Sequence, residues 1–253
     1  MKPTLTVILP TLNEGGNITA LIQTLLCVMP DVQIIVVDDS STDNTAELVR
    51  DIEMQNPQVR LIARQGIPCL TKSIMIGVQE SHTDYVGWMD ADFSHPPEVM
   101  AQLFTLAQSC GCSIATRYAS QKALNNKSEL QNDSLLAAAL SSVLNILIKN
   151  VLQIHTTDYT SGFIVCRRDI LKDHPFVGDY GEYFIEVLYF IDRMGIKIME
   201  LPYQSPPRTS GESKTGTTIF KLMRRGVKYL ILTIRLLLPK TLFGPLSLKR
   251  THQ

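Results

Sequence analysis

The last forty residues or so of this 253-residue sequence contain no acidic side chain. Every formally charged residue after Glu212 is a cation. They are Lys214, Lys221, Arg224, Arg225, Lys228, Arg235, Lys240, Lys249 and Arg250. The whole chain has a formal net charge of zero, so the part before this arm is net acidic. Leucines and isoleucines lie between the cations, which favours an anionic membrane surface over nucleic acid as the partner. We expect no nucleic acid partner.

Long hydrophobic runs are also absent. The most apolar stretch, Leu230–Phe243, is interrupted by Arg235, Pro239 and Lys240. It is shorter than the roughly 20 residues that a spanning helix needs, so we expect no membrane-crossing segment. The sequence enters a strand-like pattern directly after Pro3, without the pattern of a secretory signal. These features predict a cytoplasmic protein that lies peripherally on the cytosolic face of a membrane.

Cysteine is scarce, and glycine-rich phosphate loops are missing. The five cysteines are odd in number and scattered, without the paired spacing of a zinc site, so we expect reduced packing residues. No glycine-rich fingerprint follows the first predicted strand. The sequence therefore supports neither a dehydrogenase-type dinucleotide site nor a P-loop.

The pattern that is present is an alternation of short apolar strands with helices. The predicted strands are Leu5–Pro10, Ile34–Val37, Val59–Ala63, Tyr85–Met89, Ser113–Thr116, one within Asp158–Arg168, and Ile196–Tyr203. The predicted helices run through Cys27 after an Asn17 cap, from Thr42 to Met54, and over Leu70–Glu80, Pro97–Ser109, Ser134–Leu152 and Gly181–Met194. Such spacing predicts right-handed crossovers and a mostly parallel sheet with helices on its faces. We expect one α/β domain over residues 1–214 and a basic amphipathic arm over 215–253.

Two carboxylates follow the fourth predicted strand at Asp90 and Asp92, separated by Ala91. Like charges this close repel each other unless a cation lies between them. A hard divalent ion such as Mg²⁺ or Mn²⁺ would relieve the repulsion and could bridge to the phosphates of a nucleotide. The alternative is a solvated pair of turn aspartates. A second acidic strand end at Asp38 and Asp39 favours the metal site.

The ends of three strands are expected to meet at one crevice. Parallel sheets bind ligands beyond the carboxyl ends of their strands. Pro10–Glu14, Asp38–Asp39 and Asp90–Asp92 all fall at such ends. An acidic crevice repels phosphates unless a metal intervenes, so the pattern points to a nucleotide-sugar site with a bridging cation.

Several separated segments together resemble one family. They are Pro10-Thr11-x-Asn13-Glu14, Val36-Val37-Asp38-Asp39-Ser40-Ser41-x-Asp43, Met89-Asp90-Ala91-Asp92-Phe93-Ser94-His95-Pro96, Arg117-Tyr118, Asp158-x-x-Ser161-Gly162-Phe163 and Arg208-x-x-Gly211-x-Ser213-Lys214. The chain resembles the inverting family-2 glycosyltransferases of the GT-A (Rossmann-like) type, especially the dolichyl-phosphate mannosyltransferases and their polyprenyl-phosphate relatives. The resemblance extends from the N-terminus to about Lys214.

This resemblance implies roles for individual residues. Nucleotide-sugar binding is implied for Pro10, Glu14, Val37, Asp39, Asp90, Ala91, Asp92, Arg117, Arg208 and Lys214. Metal binding is implied for Asp90 and Asp92, and a catalytic role for Asp92, Arg208 and Lys214. Carboxylates can accept hydrogen bonds from ribose hydroxyls and base N–H groups, and arginine can neutralise phosphate through two parallel bonds.

The expected reaction moves a hexose, mannose by resemblance from GDP-mannose, to a polyprenyl or dolichyl phosphate. The acceptor is already an anion, so this reaction needs no general base. One alternative is another nucleotide sugar or a hydroxyl acceptor, whose base could be Asp179, Glu182 or Glu186. Another is a nucleotide-sugar-binding subunit without turnover.

Residues Thr217–Leu238 of the arm have an amphipathic pattern. Apolar side chains recur at three- and four-residue steps, with the cations largely between them. Such a helix lies in the interface of an anionic membrane. The alternatives are a helix packed on its own domain or one that binds a small membrane-anchoring subunit.

Overall fold

The structure, a computed structural model, describes residues 2–117, 144–178, 181–206 and 219–238. Within these ranges the strands are β1 Leu5–Thr11, β2 Gln33–Asp39, β3 Val59–Arg64, β4 Tyr85–Trp88, β5 Cys112–Thr116, β6 Ile164–Arg167 and β7 Ile198–Pro202. The helices are α1 Ile18–Val28, α2 Thr45–Gln55, α3 Leu70–Glu80, α4 Pro97–Cys110, α5 at 144–152, α6 Arg168–Leu171, α7 Tyr183–Arg193 and α8 Ile219–Leu237.

The strands form a single sheet in the order β3-β2-β1-β4-β6-β5-β7. β1 pairs in parallel with β2 and β4, β2 with β3, and β5 with β7. β6 lies between β4 and β5 and is antiparallel to both. The predicted mostly parallel α/β sheet is therefore confirmed.

Side chains alternate between the two faces of the sheet, and each face has its own apolar core. On β1, Leu9 points into the cluster that α1, α2 and α4 cover, and Ile8 points into the cluster that α3 and α7 cover. Gly87 on β4 is required by close packing, because a Cβ there would lie 2.9 Å from the carbonyl oxygen of Ile164. With both faces covered, the central strands are mostly apolar. Towards the edges of the sheet, β3 carries Arg60 and β7 carries Glu200.

Two local predictions at helix starts are corrected. The second helix begins at Thr45 instead of Thr42, because the Asp43 carboxylate accepts hydrogen bonds from the main chain and hydroxyl of Thr45 and holds the preceding turn open. Asn17 occupies the cap position of α1, but its side chain makes no capping bond. Its amide instead donates to Glu14 Oε2 over 3.0 Å, which orients that carboxylate.

Helix α8 packs on the domain and also presents an apolar stripe to solvent. Leu232 and Thr233 are buried, and α8 packs against α7. The opposite side carries exposed Val227, Leu230, Ile231, Ile234 and Leu237. Tyr229 of α8 lies close to the chain at Gly181, where a Cβ would lie 2.5 Å from the Tyr229 hydroxyl. Among the helices that the structure describes, none has the length and apolar character required to cross a membrane.

Candidate active site at the carboxyl ends of the strands

The loops after β1 and β2 are bonded to each other. The main-chain N–H of Asn13 donates to Ser41 Oγ over 2.8 Å, and Asn13 Oδ1 accepts from the main chain of Thr42 over 2.7 Å. The N–H of Glu14 donates to Thr45 Oγ1 over 2.9 Å. The predicted nucleoside-binding loops are therefore bonded together, and they form one wall of the predicted crevice.

Left-handed backbone marks three of the strand ends. Asn13 follows β1 with φ 54°, Ser40 follows β2 with φ 62°, and Phe93 lies after β4 with φ 64°. Such conformations are uncommon for residues other than glycine and tend to occur where a loop is shaped for function. Their position at the ends of β1, β2 and β4 places this local strain around the predicted crevice.

Asp39 lies at the end of β2 and is bound by protein groups from two other elements. Its Oδ1 pairs with the guanidinium of Arg64 at the end of β3. Its Oδ2 accepts from the main chain of Cys69 over 2.5 Å and from Ser73 Oγ over 3.2 Å. A carboxylate has about four lone-pair sites, so these three donors leave room for one donor from a ligand.

Asp38, the neighbouring carboxylate, has a structural role in the same wall. It is buried and accepts from Ser41 Oγ over 2.5 Å, from the main chain of Ser41 over 3.1 Å and from Thr11 Oγ1 over 3.2 Å. These bonds attach β1 to the turn after β2, so Asp38 holds the wall together.

The turn after β4 presents Asp90 to solvent and buries Asp92. Asp92 Oδ1 accepts from the hydroxyl of Ser94 over 2.6 Å and from its main chain over 3.0 Å. The main-chain N–H of Asp90 donates to Nδ1 of His95 over 3.0 Å. Hydrogen bonds within residues 90–95 therefore hold the turn that carries the two carboxylates.

His95 connects this turn to an aromatic cluster. Its ring stacks on Phe163 with centroids 4.4 Å apart and meets the edge of Tyr203 at 6.0 Å. Burial lowers the pKa of His95, although the charge of Asp90 acts in the opposite direction. The ring is thus neutral, which is the state in which Nδ1 can accept the Asp90 bond. Sequence reasoning missed this function of His95, whose only signal was its position in the same segment.

Charged groups from separate elements converge at this cluster. The charges of Asp90, Arg117, Asp92 and Asp158 all act on the pKa of His95. Burial raises the pKa of Tyr203 to about 12, and the charges of Arg117, Asp158 and Asp90 act on it as well. The structure therefore brings the predicted residues Asp90, Asp92 and Arg117 together around His95.

Arg117, at the end of β5, pairs with the buried carboxylate of Asp158. Arg117 Nε donates to Asp158 Oδ2 over 2.9 Å, and Nη2 donates to Oδ1 over 3.1 Å. Nη2 also donates to Thr160 Oγ1 over 2.8 Å. Asp158 belongs to one of the segments that carry the family resemblance, but the resemblance assigned it no role. In the structure Asp158 both pairs with Arg117 and caps its own turn, because its Oδ1 also accepts from the main chain of Thr160 over 3.0 Å.

The remaining predicted residues fall in different places. Pro10 and Glu14 are half-buried in the loop wall, whereas the side chains of Val37 and Ala91 are buried. A buried side chain leaves the main chain as the part that can contact a ligand. Arg208 and Lys214 lie outside the described residues, as does Asp179. The segment that leads toward Arg208 is attached to the site, since Ser205 Oγ donates to the carbonyl oxygen of Ser94 over 3.0 Å.

Glu182, just before α7, and Glu186, within it, are buried. Glu186 Oε1 lies 2.7 Å from His174 Nε2, and the His174 ring stacks on Phe190 with centroids 3.6 Å apart. Glu182 is also buried and packs against Gly178. Residues Tyr183 to Leu188 of α7 are all buried, whereas Asp192 is partly exposed and Arg193 is exposed near the end of the helix.

The carboxylates present fit a divalent cation that shares its ligands with a substrate. No group of three or more His, Cys, Asp or Glu side chains that could hold a metal occurs within the described ranges. Mg²⁺ is usually held by one or two carboxylates together with phosphate oxygens and water. The exposed Asp90 and the fixed Asp92 supply that number of protein ligands.

Known proteins of one kind resemble this chain. The family model described as "Glycosyl transferase family 2" matches residues 6–174. The dolichol-phosphate mannosyltransferase of Pyrococcus furiosus is 29% identical over 86% of this chain, which spans 61% of that protein's length. The Saccharomyces cerevisiae enzyme of the same name is 26% identical, over 87% of this chain and 84% of its own. The polyprenol monophosphomannose synthase of Mycolicibacterium smegmatis is 27% identical, over 88% and 86%.

A solved structure shares the fold. Glucosyl-3-phosphoglycerate synthase from Mycobacterium tuberculosis, in complex with Mn²⁺, UDP and glucosyl-3-phosphoglycerate, superimposes with a TM-score of 0.64. The match covers 92% of this chain and 80% of the other at 18% sequence identity. The predicted GT-A type of fold is confirmed by this match.

Proposed function

Because this chain belongs to glycosyl transferase family 2, we propose that it transfers mannose from GDP-mannose to a polyprenyl phosphate, with inversion at the sugar carbon. Membership of the family makes the chain a glycosyltransferase. The sugar, the base and the acceptor are the proposed part. They are supported by the names of the relatives from Pyrococcus, Saccharomyces and Mycolicibacterium.

The observation that carries the proposal is the Asp90–Asp92 turn at the mouth of the crevice. Asp90 is exposed, Asp92 is held by Ser94, and the His95 bond fixes the turn between them. A diphosphate is an anion, so the carboxylates of Asp90 and Asp92 can face it only through a cation. We propose that Asp90 and Asp92 would hold Mg²⁺ or Mn²⁺, and that this ion would offset charge on the leaving diphosphate when bound.

The nucleoside would lie against the wall formed by the loops after β1 and β2. Glu14, oriented by Asn17, and Asp39, oriented by Arg64, are the two carboxylates of that wall. Both can accept from ribose hydroxyls or base N–H groups. The half-buried Pro10 and the main chains of Val37 and Ala91, whose side chains are buried, would complete the contacts.

In this proposal the chain's own residues neutralise negative charge and align the two substrates. Arg208 and Lys214 would stabilise the negative charge that develops in a crevice from which water is partly excluded. The phosphate acceptor is already an anion, so alignment for in-line displacement replaces a general base. Glu186 supports this choice, since its side chain is buried and its Oε1 is bonded to His174.

A membrane surface would supply the lipid acceptor. The exposed stripe of α8 and the exposed Ile146, Leu147 and Val151 of α5 offer apolar area, and the cations of α8 suit anionic lipids. We propose that the arm over 215–253 acts in this way while α8 also packs on the domain over 1–214. A small membrane-anchoring subunit is the other partner that this stripe could accept.

The experiment is a transfer assay with matched donors and acceptors. Labelled GDP-mannose, UDP-glucose and the corresponding cytidine donor are each offered with a short-chain polyprenyl phosphate or with free sugars. We expect product with GDP-mannose and the lipid phosphate, and only when Mg²⁺ or Mn²⁺ is present. Transfer to free sugars instead would replace the proposal by the hydroxyl-acceptor alternative, with Glu182, Glu186 or Asp179 as the base.

A further inference from the structure

We propose that Asp158 is a positioning residue, which fixes the guanidinium of Arg117 at the crevice and does not itself act as a general base. This inference deepens the proposed function and rests on Arg117 contacting the substrates. It concerns a residue that the sequence pattern could not assign, and it follows from how the carboxylate is bonded and held.

The Arg117 guanidinium meets Asp158 side-on and bonds both oxygens of its carboxylate. Both oxygens of Asp158 receive a guanidinium N–H, from Nε over 2.9 Å and from Nη2 over 3.1 Å. The hydroxyl of Thr160 lies within 3.0 Å of Oδ1 and 2.8 Å of Arg117 Nη2, so it joins both members of the pair. A bidentate pair of this kind fixes the plane of the guanidinium as well as its position.

The Asp158 carboxylate is more deeply buried than the Arg117 guanidinium, as a positioning role requires. The side chain of Asp158 is 0% exposed, whereas that of Arg117 is 38% exposed. A carboxylate with no exposed surface cannot take a proton from a substrate hydroxyl in the crevice. The arginine, half in solvent, is the member of the pair that can reach a ligand.

The chain on both sides of Asp158 is tethered, so the carboxylate cannot swing into the crevice. The main chain of Thr157 donates to Glu200 Oε1 over 2.6 Å. On the other side, the main chain of Tyr159 donates to Asn145 Oδ1 over 2.7 Å, and the Tyr159 hydroxyl donates to the carbonyl oxygen of Ile154. Residues on β7 and α5, together with a bond inside the loop after α5, thus hold the segment that carries Asp158.

This arrangement has a chemical consequence for Arg117. Arginine offers its donors in a rigid planar fork, so a fixed plane presents the outer edge of the fork in one direction only. Losing the carboxylate would free the plane to rotate, and the cation would remain present but no longer aligned. Alignment within a fraction of an ångström is a large part of how such groups accelerate reactions.

The test is a double-mutant cycle on turnover with Asp158→Asn, Arg117→Ala and the double variant. We expect each single variant to lower kcat by about a hundredfold. The double variant should be no slower than either, because Asp158 would act only through Arg117. Multiplicative losses in the double variant would overturn the proposal, since they would give Asp158 a contribution of its own.

Two further readouts separate positioning from acid–base chemistry. Guanidinium ion added to Arg117→Ala should restore part of the activity, because Asp158 would still orient it, and should do nothing for the double variant. The pH–rate profile of Asp158→Asn should keep the shape of the wild-type profile. Failure of the rescue, or loss of the acidic limb of the profile in Asp158→Asn alone, would contradict the inference.

Controls cover folding and the proposed function. Glu200→Gln removes a carboxylate charge from the same tethers but keeps the acceptor for Thr157, so it should retain near-normal turnover. If Asp158→Asn does not fold, Asp158→Glu keeps the charge, displaces the carboxylate by one methylene and should show the same loss. Every rate is measured with whichever donor and acceptor are active. A failure of the mannose or lipid assignment therefore leaves the cycle interpretable.

Discussion

The indole N–H of Trp88 donates to the hydroxyl of Tyr183 over 2.7 Å, inside the core. Trp88 is the last residue of β4, two positions before Asp90, and Tyr183 is the first residue of α7. Burial raises the pKa of Tyr183 well above its usual value, so the hydroxyl stays protonated. This bond therefore attaches β4, which leads into the two aspartates, to the start of α7.

Removing that hydroxyl with Tyr183→Phe should destabilise the protein. The substitution leaves the Trp88 N–H buried without its acceptor, at a cost of about 1–3 kcal/mol. Urea denaturation measures the change in the free energy of unfolding. The control is Tyr189→Phe on the same helix, where the ring lies beneath Arg193 and the loss should be small. Equal stabilities for the two variants would show that the bond contributes nothing.

Asp92→Asn should abolish transfer without unfolding the protein. Asparagine keeps an oxygen that can accept the two bonds from Ser94 but removes the charge that would hold a divalent cation. We expect the wild type, but not the variant, to gain thermal stability from Mn²⁺ with GDP. Chelation should stop the wild-type reaction and added Mg²⁺ or Mn²⁺ should restore it. Full wild-type activity in excess chelator would contradict the metal assignment.

Arg208→Ala should slow turnover by roughly a hundredfold or more, the effect of losing one preorganised donor to a developing charge. Steady-state rates at saturating donor give the number, and the melting temperature should hardly change. Arg193→Ala removes a cation from an exposed surface position of α7 and serves as the control. A large loss of stability with normal turnover would instead give Arg208 a structural role.

Two substitutions on α8 separate its docked face from its exposed stripe. Ile234 is 56% exposed, so Ile234→Ser should weaken sedimentation with anionic liposomes and leave the melting temperature unchanged. Leu232 is 6% exposed, so Leu232→Ala should lower stability by about 2–5 kcal/mol and leave liposome binding intact at temperatures where the variant is folded. Binding should weaken with salt, because each cation near an anionic surface contributes about 1 kcal/mol. A full chain that stays in the supernatant at low salt would exclude the membrane role.

The sequence predicted what depends on neighbours along the chain. Short, mainly apolar runs identified the strands, because a strand covered on both faces carries few polar side chains. The pattern is weaker in β3 and β7, which include Arg60 and Glu200. Pro97 and the acidic turn before it identified the start of α4. The same local patterns brought the strand ends to one crevice, since parallel strands share an edge of the sheet.

Tertiary structure alone decided which side chains meet across that edge. Asp39 pairs with Arg64 because β3 lies beside β2. Arg117 pairs with Asp158 because the segment that leads into the antiparallel strand β6 passes the end of β5. Side-chain spacing along one strand carries no information about the neighbouring strand, so neither pair could be derived from the pattern. The same limit applies to α8. Its periodicity showed that it has apolar positions, but only packing against α7 divided them between a buried face and an exposed stripe.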